Sequence, residues 1–194
     1  MRGKRLWITL RLWTIRSSVK RACFLKKCNV FASMGDGCSV QQRTLPLYPN
    51  LIRIGNNVHI ASNVGFLTHD VTHLMLNKSD TAKSLSGGHY FQEKLQCIQI
   101  GDNVFIGAGS RILYDVRIGS NVVIGAGAIV SRDIPDNSVA AGIPAKVIGS
   151  FEDFVQKRAQ ETNYPRSLLP RHEEISEKLA TILWKDFDEQ RKTE

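Results

Sequence analysis

The first 35 residues contain no aspartate and no glutamate. They hold nine of the chain's 26 lysines and arginines, so the whole net charge of +8 sits in this arm. From residue 36 onward 17 basic residues face 18 acidic ones. A near-neutral body of this kind offers no cationic groove, which excludes nucleic acid as a partner. Long apolar runs are also missing. Nothing approaches the roughly 20 apolar residues of a membrane-spanning helix, and Arg and Lys interrupt the N-terminus too often for a secretory signal core. Cysteine is scarce, and Cys23, Cys28, Cys38 and Cys97 form no CxxC pair. That spacing argues against a zinc site and for reduced thiols in a cytoplasmic protein. Glycine and proline are absent from residues 4–29, so one helix is predicted from about 4 to 27. Its apolar residues are threaded with Arg5, Arg11, Arg16, Lys20, Arg21, Lys26 and Lys27. This basic amphipathic segment, residues 1–29, has two readings. It caps the body, or residues 1–27 make peripheral contact with an anionic membrane, with Trp7 and Trp13 at the interface.

The body carries a strict period. Ile100, Ile106, Ile112, Ile118, Ile124 and Val130 recur every six residues without a miss. Neither a helix nor a hairpin is written this way; hairpins would show alternation at period two with shifting spacing. Six residues fit one short strand and a turn. Ile54-Gly55-Asn56-Asn57-Val58-His59-Ile60 matches Ile100-Gly101-Asp102-Asn103-Val104-Phe105-Ile106, and both match Ile118-Gly119-Ser120-Asn121-Val122-Val123-Ile124. The last two copies lie 18 residues apart, which makes three strands per coil. Gly-Asn-Asn, Gly-Asp-Asn and Gly-Ser-Asn supply the turn residues. A second inward position, mostly small or aliphatic, is occupied by Val104, Ser110, Val116, Val122, Ala128 and Ile134. The predicted fold is an all-β core, a parallel β-helix over residues 30–150 with its first strand near Val40. Spacing alone leaves its hand open.

The first and second copies are 46 residues apart, which is not a multiple of six. An inserted loop, residues 67–97, therefore interrupts the coil. After Val130, turn, strand, turn and strand close it. Residues 151–194 form a tail of two helices. The first spans about 151–161, started by the capping box of Ser150 and Asp153. The second follows Pro170, with Ile175, Leu179, Ile182, Leu183 and Phe187 on one face.

The hexapeptide ladder, Asp133-Ile134-Pro135 and Ala141-Gly142-Ile143-Pro144-Ala145-Lys146-Val147-Ile148 together resemble the hexapeptide-repeat acyltransferases. The resemblance covers residues 38–150, in the family's order of repeat, loop and closing segment. Thr68-His69-Asp70 is most similar to the surface-polysaccharide O-acetyltransferases; galactoside and maltose acetyltransferases are also close. The resemblance implies a left-handed β-helix, a homotrimer with sites between adjacent prisms, and acetyl-CoA as co-substrate. It implies transfer to a sugar hydroxyl of a surface polysaccharide or a lipid-linked precursor, and the basic amphipathic N-terminus favours a membrane-associated acceptor, at the inner face of the cell membrane. N-acetylation of an amino-sugar nucleotide is the alternative enzyme reading, and a non-catalytic scaffold the alternative outside enzymology.

The same resemblance places the catalytic histidine on His69. An acceptor hydroxyl attacks a thioester slowly unless a base takes its proton, and an imidazole, with an ordinary pKa of about 6.5, suits that work. Asp70, His59 and His73 are the expected substrate contacts. Ala108, Ala126, Ser131, Arg132, Lys146 and Phe105 match the acetyl-CoA positions, with Phe105 standing where many members have Trp. No ladder of histidines of the zinc-binding β-helix type is present, so no metal is expected. His89 and His172 read as surface residues.

Overall fold

In the computed structural model, which describes residues 2–161, 163–170 and 174–192, the six-residue period becomes a coil with three parallel sheets as its faces. His172 lies outside the described residues. Face A stacks strands 33–34, 52–54, 98–100 and 116–118. Face B stacks 39–40, 58–60, 104–106, 122–124 and 138–142. Face C stacks 65–66, 111–112 and 129–130. The coil begins earlier than the sequence suggests, at Ser33 rather than Val40. Met34 and Val40 keep the six-residue step beneath Ile54 and Ile60, with Cys38 buried at the second inward position, and Val30 and Phe31 ahead of them join the same core.

Every aliphatic in the ladder points inward. Ile100 to Val130 are each exposed by 2% or less, and the second inward position by no more than 4%. Each coil thus stacks aliphatic on aliphatic, and the core is continuous along the axis. Ser110 is the polar exception, and its hydroxyl donates within the core to the carbonyls of Gly107 and Gly125, each at 2.9 Å.

The turns between faces A and B explain the Gly-x-Asn signature. Asn57, Asn103, Asn121 and Asn137 all hold positive φ, between 53° and 57°, a conformation asparagine tolerates better than most side chains. Their amides bond coil to coil. Asn57 Nδ2 donates to Asn103 Oδ1 at 2.9 Å, Asn103 to Asn121 at 3.0 Å, and Asn121 to Asn137 at 2.8 Å. The glycine two residues before Asn57, Asn103 and Asn121 has a different reason. A Cβ on Gly101 would stand 2.7 Å from the backbone of Gly119, and one on Gly119 2.6 Å from Asp136 N.

The N-terminal segment is two helices, α1 (Arg2–Thr14) and α2 (Ser18–Lys27), where the sequence predicts one. Ser17 takes extended backbone angles and its hydroxyl accepts from Lys20 N, which starts a new helix. Arg21, buried to 4% exposure, locks the break. Its guanidinium donates to the carbonyls of Ile15 and Arg16 at the end of α1, and to Val40 O in the first coil at 2.8 Å. Ile8 and Leu12 of α1 and Ala22 and Leu25 of α2 join the core, so the pair does cap the coil.

The inserted segment is also more ordered than a plain loop. Its neck is a short antiparallel pair, His69–Asp70 against Lys94–Leu95. Beyond it lie α3 (His73–Leu76) and α4 (Asp80–Leu85), the latter capped by Ser79. At the far end strands 138–142 and 145–150 form an antiparallel closing hairpin. Ser150 Oγ then accepts from Asp153 N at 3.0 Å and starts α5 (Phe151–Ala159), as the capping box predicts. Residues 156–194 form a separate compact unit. In it α6 (Glu177–Arg191) is capped by Ser176, so Ile175 precedes the helix, and Tyr164 Oη donates to Asp186 at 2.8 Å.

Candidate active site

Register locates the loop. Phe66 pairs with Ile112 and Ile112 with Val130, so the chain turns the same corner, from face C to face A, at Leu67-Thr68, at Leu113-Tyr114 and at Ser131-Arg132. Leu67 N donates to Ile112 O and Leu113 N to Val130 O, each at 2.9 Å. The insertion opens the first of these corners. Thr68 is fully buried there; its hydroxyl donates to Leu47 O at 2.8 Å, and its carbonyl accepts from Gln96 N at 3.0 Å. His69 therefore leaves the coil from a fixed point.

The His69 ring meets Tyr48 edge-on, with centroids 5.3 Å apart. Tyr48 is in turn tied to the loop, its hydroxyl donating to Glu93 Oε2 at 3.3 Å. Asp70 is held on both oxygens. Oδ1 accepts from Thr72 N at 2.7 Å, and Oδ2 from Tyr114 Oη at 3.2 Å. Those bonds, first the ones from Thr72, hold the carboxyl below the usual carboxylate range, with Lys94 adding a smaller pull. The same contact pushes the Tyr114 phenol up. Lys94 Nζ lies 4.7 Å from the centre of the Tyr114 ring.

A lowered folded-state pKa has one sign. The contribution of Asp70 to holding the neck is full above the unfolded value, near ~3.9, and is lost as pH falls through the folded one. Tyr114→Phe removes one of the bonds responsible. In that variant the Asp70 carboxyl titrates at higher pH than in the parent, as read by 13C NMR of the side-chain carboxyl; an unchanged titration rejects the contact.

Three buried side-chain polar atoms have no hydrogen-bond partner among the described residues: His69 Nδ1, His73 Nδ1 and Gln96 Oε1. All three belong to residues 67–97. Such atoms cost about 1–3 kcal/mol each and are uncommon in native folds. No group of three His, Cys, Asp or Glu able to hold a metal occurs among the described residues.

The other sequence-predicted residues fall into separate sets. Ser131 and Arg132, both exposed, share the corner of the loop exit. Ala108 and Ala126, also exposed, stack with Ser62 at the opposite edge of face C; Gly109 N donates to Ser62 O and Gly127 N to Ala108 O. Phe105, 46% exposed, stands on face B in register with His59 and Val123. Lys146 is exposed on the closing hairpin opposite Ala141. His59 has both ring nitrogens engaged, Nδ1 with Ser39 Oγ at 2.7 Å and Nε2 with Asn57 Oδ1 at 2.9 Å, so it ends the asparagine ladder. Face C thus lies between the alanine stack and His69. An open groove of about 1040 Å3 runs across it, from Ser62 to Leu67, with Trp13, Gln42, Arg43 and Arg111 in its walls.

Tyr48, Glu93 and Tyr114 are the residues around His69 and Asp70 that sequence reasoning did not single out. For Tyr114 a signal existed. It stands 46 residues after Thr68 and 18 before Arg132, on the ladder's own spacing, and is an aromatic at a corner. For Tyr48 there was none, since it precedes the repeat copies.

With the coil, its interruption and this corner in view, comparison with known proteins agrees on the class. Residues 97–132 match the model of the bacterial transferase hexapeptide (six repeats). Protein CapG of Staphylococcus aureus is 42% identical over 144 residues, covering 70% of this chain and 75% of its own length. The chain belongs to the hexapeptide-repeat acyltransferases, and its coil is the left-handed β-helix of that family. Among solved structures, a galactoside acetyltransferase in complex with coenzyme A is similar at 28% identity and TM-score 0.53, covering 84% of this chain and 86% of its own. A maltose O-acetyltransferase from Clostridium difficile 630 is similar at 27% identity and TM-score 0.52, covering 76% and 86%.

Proposed function

We propose that this acetyltransferase moves an acetyl group from acetyl-CoA to a sugar hydroxyl of a surface polysaccharide or its precursor, with His69 as general base. The observation that carries the reading is the clustering of the partnerless polar atoms: His69, His73 and Gln96 all lie in the one segment that leaves the coil. Polar groups with no partner among the described residues fit a loop that receives a polyhydroxylated acceptor. The sugar acetyltransferases among the similar structures support the acceptor class, and the coenzyme A in one of them the donor.

In the proposed reaction His69 accepts the acceptor's hydroxyl proton as the oxygen attacks the thioester carbonyl carbon. The C–O bond forms, the C–S bond breaks, and the imidazolium returns its proton to the departing thiolate. Asp70, anchored by Tyr114 and Thr72, fixes the neck from which His69 projects, and Asp70 and His73 contact the acceptor, with the His59 ring edge beside it. Ala108 and Ala126 leave room for the pantetheine arm, Phe105 gives a flat wall, and Ser131, Arg132 and Lys146 take the phosphates. The alanine stack and His69 lie on opposite edges of face C, which favours a homotrimer in whose clefts one prism's small-residue edge meets another's loop.

The test is release of free coenzyme A thiol from acetyl-CoA with a panel of hexose oligosaccharides, amino-sugar nucleotides and simple amines. Turnover with neutral sugars carrying free hydroxyls supports the reading. Turnover only where a free amine is present overturns O-acetylation in favour of N-acetylation.

A further inference from the structure

Helix α1 has two apolar faces; the fold buries one, and on the other the only ring contacts among the described residues are Trp7 with Phe24, centroids 5.6 Å apart, and Arg43 over Trp13 at 5.7 Å. Ile8 and Leu12 are buried at 3% and 1%. Arg5 fixes that side by donating to the carbonyls of Leu45 and Pro46 at 2.7 and 2.8 Å. At 100° per residue the opposite side carries Leu6, Leu10 and Trp13, with Trp7 adjoining. These four are exposed by 63%, 59%, 61% and 51%. The sector between them adds only Gly3 and Thr14, so it carries no charge. Lys4 and Arg11 border it on one flank. Arg16, Lys20 and Lys27, all exposed, continue the positive field over α2.

A solvated helix has no use for four large apolar side chains on its outer face, and a patch of this kind marks an interaction surface. We infer that the outer face of α1 seats on an anionic lipid surface, with Leu6 and Leu10 entering the acyl boundary, Trp7 and Trp13 at the headgroup level, and the flanking cations over lipid phosphates. Charge complementarity selects this occupant. Residues 1–35 hold nine cations and no anion, so every electrostatic contact the arm makes with a bilayer of anionic lipid is attractive. No described helix is long and apolar enough to cross a membrane, so the attachment is peripheral. The seat is rigid, because α1 is pinned through Ile8, Leu12 and Arg5 and through Arg43, which donates to Trp13 O at 2.8 Å. The inference goes beyond acetyl transfer and stands without it.

The experiment uses the full chain carrying Trp184→Phe, which leaves Trp7 and Trp13 as its only indoles. Flotation is measured with vesicles of phosphatidylcholine alone and of equal parts phosphatidylcholine and phosphatidylglycerol, and indole quenching with brominated acyl chains. Expected are binding to the anionic vesicles that weakens with salt, quenching of the indoles, and at least a tenfold loss of partitioning in Leu6→Ser/Leu10→Ser. Both leucines are more than half exposed, so that variant keeps its melting temperature. Failure to bind anionic vesicles overturns the inference, as does binding by the double variant equal to the parent. A fall in oligomer mass on Leu6→Ser/Leu10→Ser without lipid also overturns it, and assigns the face to contacts between copies.

Discussion

His69→Ala lowers kcat/KM for acetyl transfer by about 10²- to 10⁴-fold, the usual contribution of a positioned general base. The acceptor hydroxyl is a weak nucleophile until its proton has somewhere to go, and the loop neck provides one imidazole, clamped beside Tyr48 and the buried Thr68. His73 follows four residues later, on α3. Its variant separates positioning from proton transfer: His73→Ala raises KM for the acceptor more than it lowers kcat. Acetyl-CoA binding, read by calorimetry, survives His69→Ala. A rate within a few-fold of the parent under saturating donor would end the assignment of His69.

Ile118→Ala destabilises the chain by about 3 kcal/mol, in the range for emptying a large buried site. Ile118 is fully buried, pairs with Ile100 on one side and bridges Ile134 on the other. Truncation therefore breaks an aliphatic stack in its middle and costs contacts in both directions. Ile118→Val, which leaves a smaller void, costs about 1 kcal/mol. Urea unfolding at fixed protein concentration reads both. Equal midpoints for Ile118→Ala and the parent would mean the ladder does not carry the fold.

The coil was legible because its signal is redundant: each coil repeats the same inward positions, and the physics that buries one buries all. The break at residues 67–97 was legible from arithmetic, since 46 is not a multiple of six. What the sequence concealed has local physical causes. The helix break at Ile15–Ser17 depends on Arg21 reaching back to carbonyls at 2.7 and 2.8 Å, and neither glycine nor proline announces it. The bond between Tyr114 and Asp70 joins residues 44 apart, and arises because the corner stacks Tyr114 on Thr68, two residues before Asp70. The start of the coil at Ser33 was hidden because its ladder opens on Met34 rather than Ile or Val, and because Met34 and Val40 lie 20 residues, not 18, before their partners Ile54 and Ile60.

The corner where the loop leaves has a consequence for how such a protein diversifies. Ile60 pairs with Ile106 and Phe66 with Ile112, and Ile100, in the first strand past the insertion, pairs back with Ile54. The ladder closes on both sides as though the intervening segment were not there. The corner therefore behaves as a socket. A different segment, longer or shorter, can be plugged into it without renegotiating a single strand pairing, and the chassis that positions the reacting partners stays constant while the recognising surface is exchanged.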